Sequence, residues 1–241
     1  MFGSGVPAAL SLVPDTFTFA WLVAILFAAA WLLDSRGLAA GRALAAGTWA
    51  LFGLFWLSTV PYFAFEHQSY VESILALVGV PACLYAGYLL YNGRASLFTL
   101  TRAIAIMLFI YLPFETIPAL TLGGVAFPEP RRVLIEVVAT QTGMLIDLLG
   151  YAPEAVTSSE GYDAAYSWTL DDGHTVVIHI VLACTGLGSM AIFGGLVAAV
   201  EAPLSRKLRA LAVSIPLIYV LNLLRTTFIS VVSGNQYMHW Y

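Results

Sequence analysis

The chain has 241 residues, of which 60% are hydrophobic and only 10% charged, with a formal net charge of -4. That balance excludes an ordinary water-soluble globular domain, in which about 25% of residues are charged. Ten basic residues with Lys207 as the one lysine form no basic stripe, which excludes nucleic acid as a partner, and two cysteines are too few for a disulfide framework.

A bilayer is crossed by about 20 mostly apolar residues, and the chain reads as an all-α polytopic membrane protein with about six such spans in one domain, 1–241. Met1 to Asp15 carries no Lys or Arg and no small-residue cleavage site follows it, so the first span, Thr16 to Leu33, is expected to be an anchor and not a removed signal. Ala43 to Phe63, Val71 to Tyr91 and Thr99 to Leu112 follow, the last with room to run through Pro113 toward Leu120. Residues 113–183 are then expected to form an extracytoplasmic segment between the fourth and fifth spans. Within it, Arg132, Glu136, Thr140 and Asp147 recur at roughly helical spacing beside Val133, Leu134, Val137, Val138, Leu145 and Leu148, the pattern of an amphipathic helix on the outer face. A polar loop, Pro153 to Asp163, precedes Tyr166 to Leu170 and Thr175 to Val181, which flank Asp171-Asp172-Gly173 and predict a short β-hairpin. The fifth span, Cys184 to Val200, and the sixth, Leu208 to Val232, complete the set.

Basic residues fall in alternate loops: Arg36 and Arg42, then Arg94 and Arg102, then Arg206, Lys207 and Arg209. The positive-inside rule makes these loops cytoplasmic and leaves both termini, Glu66, Glu72 and the 113–183 segment outside. Reading Arg131 to Leu149 as a further span would invert the last basic loop against that rule.

Cys184 stands where the hairpin becomes the fifth span, in Ala183-Cys184-Thr185-Gly186-Leu187-Gly188-Ser189. A helix N-terminus there would favour thiolate, its N–H groups could hold an oxyanion, and the glycines would admit a peptide backbone. A lone membrane-edge cysteine is ordinarily a packing residue. Arg225, inside Asn222-Leu223-Leu224-Arg225-Thr226, changes the weight of that observation, because a guanidinium within a span faces an interior or a cavity with a partner. At 1.5 Å per residue, Cys184 and Arg225 reach similar heights on two antiparallel spans joined by a short loop. Ala191, Gly195 and Ala199, four apart, would let the fifth helix pack closely. Arginine stays protonated, so its work would be to stabilise thiolate or oxyanion and to orient a carbonyl.

The Ala-Cys-Thr-Gly-Leu-Gly-Ser string followed one span later by Asn-Leu-Leu-Arg, with the outer segment before the cysteine and Pro113-Phe114-Glu115, resembles the archaeosortase/exosortase family. The resemblance covers most of the chain. It implies a membrane-embedded cysteine transpeptidase in which Cys184 is the nucleophile forming an acyl-thioester and Arg225 the proton donor or oxyanion stabiliser. It also implies the partners: C-terminal tripartite tails of secreted proteins, with a Pro-Gly-Phe-type motif, which are cleaved and handed to a membrane lipid at the outer face of the cell membrane. The low lysine count favours the archaeal branch. The family's third basic residue has two readings, a later span beyond Tyr241 or His239.

Other polar residues attract blander readings. His179 could take the thiol proton, but a hydrogen-bonded strand histidine is the simpler account; His174 reads as solvated. Glu154, Glu160, Asp163, Asp171 and Asp172 lack the spacing of a calcium loop, and no metal or organic cofactor has a recognisable site. Cys83, mid-span, reads as packing. Glu115 is a candidate ion-pair partner for Arg225. The competing function is a transporter or channel subunit with Arg225 in an anion pathway; the absence of paired broken helices in matching halves counts against it.

Overall fold

The structure is a computed structural model that describes residues 16–66, 68–94, 96–122, 125–158, 161–170 and 173–234. Asp15, Glu160, Asp171, Asp172 and His239 lie outside the described residues. In chain order the elements are α1 (Thr16–Ser35), α2 (Ala40–Pro61) running on into a π-helical turn (Tyr62–Glu66), α3 (Tyr70–Tyr91), α4 (Leu97–Thr116), β1 (Leu120–Leu122) and β2 (Val125–Phe127). Then come α5 (Pro130–Leu148), β3 (Glu154–Val156), β4 (Ala165–Thr169), β5 (Thr175–His179), a 3-10 turn (Leu182–Thr185), α6 (Leu187–Ala199) and α7 (Leu204–Gly234).

The polytopic, mostly helical architecture expected from the sequence is the one observed. Among the described residues, five helices are long and apolar enough to cross a membrane: α1, α2 with its π-helical extension, α3, α4 and α7. The expected span at 184–200 is shorter than the apolar run that predicts it. Its helix, α6, has 13 residues, about 20 Å of rise against a hydrocarbon core of about 30 Å. The cause is local: Gly186 adopts φ 76°, a left-handed conformation that an α-helix cannot run through, so the residues before it form a separate 3-10 turn. The run predicted to start at Leu208 is longer, since α7 extends back to Leu204 and takes Arg206, Lys207 and Arg209 into its first turns.

The chain packs as two compact units, residues 1–112 with 195–201 and residues 113–194 with 202–241. In the first, Val23, Ala24 and Phe27 of α1 meet Trp49 and Phe52 of α2, Cys83 of α3 and Ala105, Leu108 and Leu112 of α4 in one core. Cys83 is buried there, as the sequence predicts. Lipid tails are as apolar as these side chains, so close packing and buried hydrogen bonds hold the helices together. One such bond runs from Trp49 Nε1 to Thr101 Oγ1 at 2.9 Å, fixing α2 to α4. The small residue predicted at Gly195 does its expected work: a Cβ there would lie 2.5 Å from the Ala103 carbonyl oxygen of α4. Ile74, Leu77 and Val78 of α3 are exposed, as suits a surface solvated by lipid.

In the second unit, α5 turns Ile135, Val138, Ala139, Thr142 and Ile146 inward and leaves Val133, Val137, Met144 and Leu148 exposed. Its apolar residues therefore serve two surfaces, where the sequence suggests one. The charged side is stitched by an Arg132–Glu136 pair, 2.7 Å, at i,i+4. The inward side packs on α7 and the 3-10 turn and receives Tyr166 from an antiparallel sheet in the order β3-β4-β5. The predicted hairpin is present as β4 and β5, in register Tyr166↔Ile178 and Thr169↔Thr175. A third strand, β3, comes from the segment read as polar loop, pairing Glu154↔Ser167 and Val156↔Ala165. A second hairpin, β1-β2, pairs Leu120↔Phe127. Three-residue strands carry too little alternation to register as a sequence pattern, and their ladders depend on partners supplied by the fold.

Candidate active site

Tyr166 of β4 anchors the sheet to α5. Its buried hydroxyl donates to the Ala139 carbonyl at 2.5 Å, and Gly143 is a glycine because a Cβ there would lie 2.5 Å from that hydroxyl oxygen. Burial holds the Tyr166 phenol above its ordinary pKa, with the Asp147 carboxylate adding to the effect, so it remains a donor. On the next strand, β5 ends at His179, and Ile180 is tied back to the sheet by its N–H on the Ala164 carbonyl at 2.8 Å. The chain then enters the 3-10 turn that carries Cys184.

That turn is held from three directions. The Cys184 N–H donates to Val181 O at 2.8 Å. Thr185, fully buried, donates through Oγ1 to Leu182 O at 2.7 Å and accepts from the Leu187 N–H at 3.3 Å, joining the turn to the start of α6. The Cys184 carbonyl accepts from Asn222 Nδ2 and, at 3.2 Å, from Thr226 Oγ1, both on α7. A Cβ at Gly186 would come within 3.0 Å of the Asn222 side chain, so the left-handed glycine also sets how closely α7 approaches. Cys184 itself is half-buried and a free thiol.

One expectation about this residue needs correction. Cys184 does not open an α-helix; α6 begins at Leu187, and the thiol sits ahead of it in the turn. The α6 N-terminus is partly capped from within, by Thr185 Oγ1 on the Leu187 N–H, and the Met190 N–H makes the first regular helical bond to Gly186 O at 3.0 Å.

Asn222 and Thr226, one turn apart on α7, are the residues that reach Cys184, and Arg225 is on the same turn. The backbone rise places Arg225 about 1.5 Å along the axis from Thr226. Contrary to the expectation of a guanidinium that faces an interior or a cavity with a partner, its side chain is exposed and makes no hydrogen bond or ion pair with any described residue. The suggested Glu115 partner goes elsewhere: Glu115 Oε2 pairs with Arg131 Nη1 at 3.2 Å, at the junction of α4 and α5. That pair keeps the Glu115 carboxylate on the α5 side, where the sequence placed it only by depth. His179 is on β5 as predicted, but its side chain is exposed and hydrogen-bonded to no described residue. His174 is exposed, and Asp163 accepts from Thr157 Oγ1 at 3.2 Å. Asn222 and Thr226 were legible only as a polar face shared with Arg225; their target, a backbone carbonyl 38 and 42 residues away, has no signal in the sequence.

A family described as transmembrane exosortase matches residues 13–241. The chain belongs to that exosortase family. Two relatives of the chain carry the name Archaeosortase A. The protein of Haloferax volcanii is 53% identical over 220 residues, 91% of this chain and 72% of the relative. The protein of Natronomonas pharaonis is 43% identical over 242 residues, 95% of this chain and 71% of the relative. No solved structure matches the chain. With five helices long and apolar enough to cross a membrane among the described residues, the chain has the polytopic character of that transmembrane family.

Proposed function

We propose that the chain is a cysteine transpeptidase that cleaves the C-terminal sorting tail of secreted proteins and passes the new carboxyl end to a membrane lipid. The observation that carries this reading is the clamp on Cys184: a half-buried free thiol in a turn whose carbonyl is held by Asn222 and Thr226, on the turn of α7 that bears Arg225. In this reading the Cys184 sulfur attacks the carbonyl carbon of the scissile peptide bond. The carbonyl oxygen becomes an oxyanion opposite the Arg225 guanidinium, whose planar fork suits it. The C–N bond then breaks, the thiol proton leaves with the departing amine, and an acyl-thioester remains on Cys184. A nucleophilic group of a membrane lipid attacks that thioester and its proton restores the thiol. The tail carries a Pro-Gly-Phe-type motif, and the site faces the extracytoplasmic side, because Arg206, Lys207 and Arg209 lie at the opposite end of α7.

Replacing Cys184 with Ser should lower tail processing below about one thousandth of the wild-type rate at normal expression, read as accumulation of an uncleaved secreted protein. Arg225→Ala should lose about 10²–10³ in turnover, and Arg225→Lys, which keeps charge but not the fork, should recover only part of it. Full processing by Cys184→Ser would end the proposal.

A further inference from the structure

The sheet of the second unit has two edges, β3 and β5, and they are finished differently. The Ile180 N–H donates to Ala164 O and the Leu170 N–H to His174 O, each at 2.8 Å. By the alternation of an antiparallel ladder, Tyr166–Ile178 and Trp168–Val176 are then the hydrogen-bonded pairs, while Ala165–His179, Ser167–Val177 and Thr169–Thr175 are not. On β4 the outward groups of Ala165 and Ser167 are taken up by β3. On β5 the N–H and C=O of Thr175, Val177 and His179 point away from the sheet, and no described residue pairs with them.

Proteins usually blunt such an edge with charge, proline or brevity. The β3 edge has all three: it is three residues long, follows Pro153 and carries Glu154. The β5 edge is five residues of Thr, Val, Ile and His without a carboxylate, lysine, arginine or proline. Its inner face is covered, since α7 packs on β4 and β5, but Thr175, Val177 and His179 are exposed. Only Ile180 and Val181 separate this open strand from the turn that holds Cys184.

We infer that the outer edge of β5 is a peptide-binding site: the extended stretch of substrate beside the scissile bond adds to the sheet as a further strand. This rests on the proposed transpeptidase reading, which supplies a peptide that must lie extended next to Cys184. The three open residues, at i, i+2 and i+4, span roughly 13 Å and hold about five residues of substrate. Main-chain bonds to Thr175, Val177 and His179 would supply affinity with little regard to sequence, and the exposed Val177 and His179 side chains would touch alternate substrate residues.

The test uses the full chain in lipid nanodiscs and a synthetic peptide carrying a Pro-Gly-Phe core. In the Cys184→Ala chain, saturating peptide should slow hydrogen exchange at the Thr175, Val177 and His179 amides at least about tenfold and leave Val176 and Ile178 unchanged. In the otherwise unaltered chain, Val177→Pro deletes one outward N–H without touching the β4 ladder. Its KM for peptide should be at least about tenfold above that of Val177→Ala, which keeps the N–H, with Cys184 alkylation at the wild-type rate. If Val177→Pro does not fold, peptides N-methylated at alternate amides replace it, and one methylation register should weaken binding about tenfold. Unchanged edge exchange with peptide bound would overturn the inference, as would edge protection that is present without peptide and lost on dilution, the mark of a second copy. Processing that survives Cys184→Ser defeats the transpeptidase reading while edge protection stands; processing lost in Cys184→Ser with an insensitive edge defeats only the inference.

Discussion

At the scale of single residues, Cys184 depends on neighbours that never touch its sulfur. Its carbonyl has two side-chain donors, Asn222 and Thr226, and a half-buried carbonyl with two donors is held in one orientation. Removing one of the two donors costs about 0.5–1.5 kcal/mol, since the other keeps the acceptor paired. Asn222→Ala should therefore lower turnover about two- to tenfold while tail binding changes little, measured as a kcat and KM pair. Asn222→Asp should be worse, because a carboxylate would face the carbonyl oxygen in place of an amide donor. Gly186 has two constraints at once, a φ of 76° and 3.0 Å of room before Asn222. Gly186→Ala is expected to cost about 1–3 kcal/mol of stability and to displace the Cys184 turn, read as a lower melting temperature and slower thiol alkylation. The Cys and Arg strings could be read from the chain because charge and thiol chemistry are local properties. The Asn222 contact could not, since it joins residues 38 positions apart.

At the scale of elements, β4 and α5 are joined through Tyr166 and Gly143. Gly143→Ala should destabilise the second unit, because its Cβ would lie 2.5 Å from the Tyr166 oxygen. Tyr166→Phe removes that oxygen, so the double variant should recover much of the loss, a coupling that a double-mutant cycle in thermal unfolding measures. The same tyrosine sets a pH dependence. Its folded pKa lies above the ordinary 10.0, so the unfolded chain ionises first. The stability it contributes is complete below about pH 10 and lost as pH rises through its folded value. Tyr166→Phe should flatten that alkaline decline. The amphipathic pattern of α5 was readable, but its division between a buried side at Ile135, Val138 and Ile146 and an exposed side at Val133, Val137 and Met144 was not. Periodicity reports that a face is apolar, not which neighbour covers it.

At the scale of the whole molecule, the basic loops predict a single orientation. In intact cells a membrane-impermeant maleimide should label Thr175→Cys and spare Lys207→Cys until the membrane is permeabilised; the reverse pattern would place the thiol site on the cytoplasmic side. The apolar runs by themselves determined that the chain is polytopic, since each is long enough to cross a bilayer and a helix satisfies its own backbone groups in lipid. They also predict similar heights for Cys184 and Arg225, because a helix converts residue number into distance. Only the tertiary structure decided that the cysteine sits in a 3-10 turn ahead of a 13-residue helix, that Glu115 pairs with Arg131, and that no described strand pairs with the outer edge of β5. Each of those follows from a contact between distant segments, and such contacts are chosen by packing, not by any property of the residues taken one at a time.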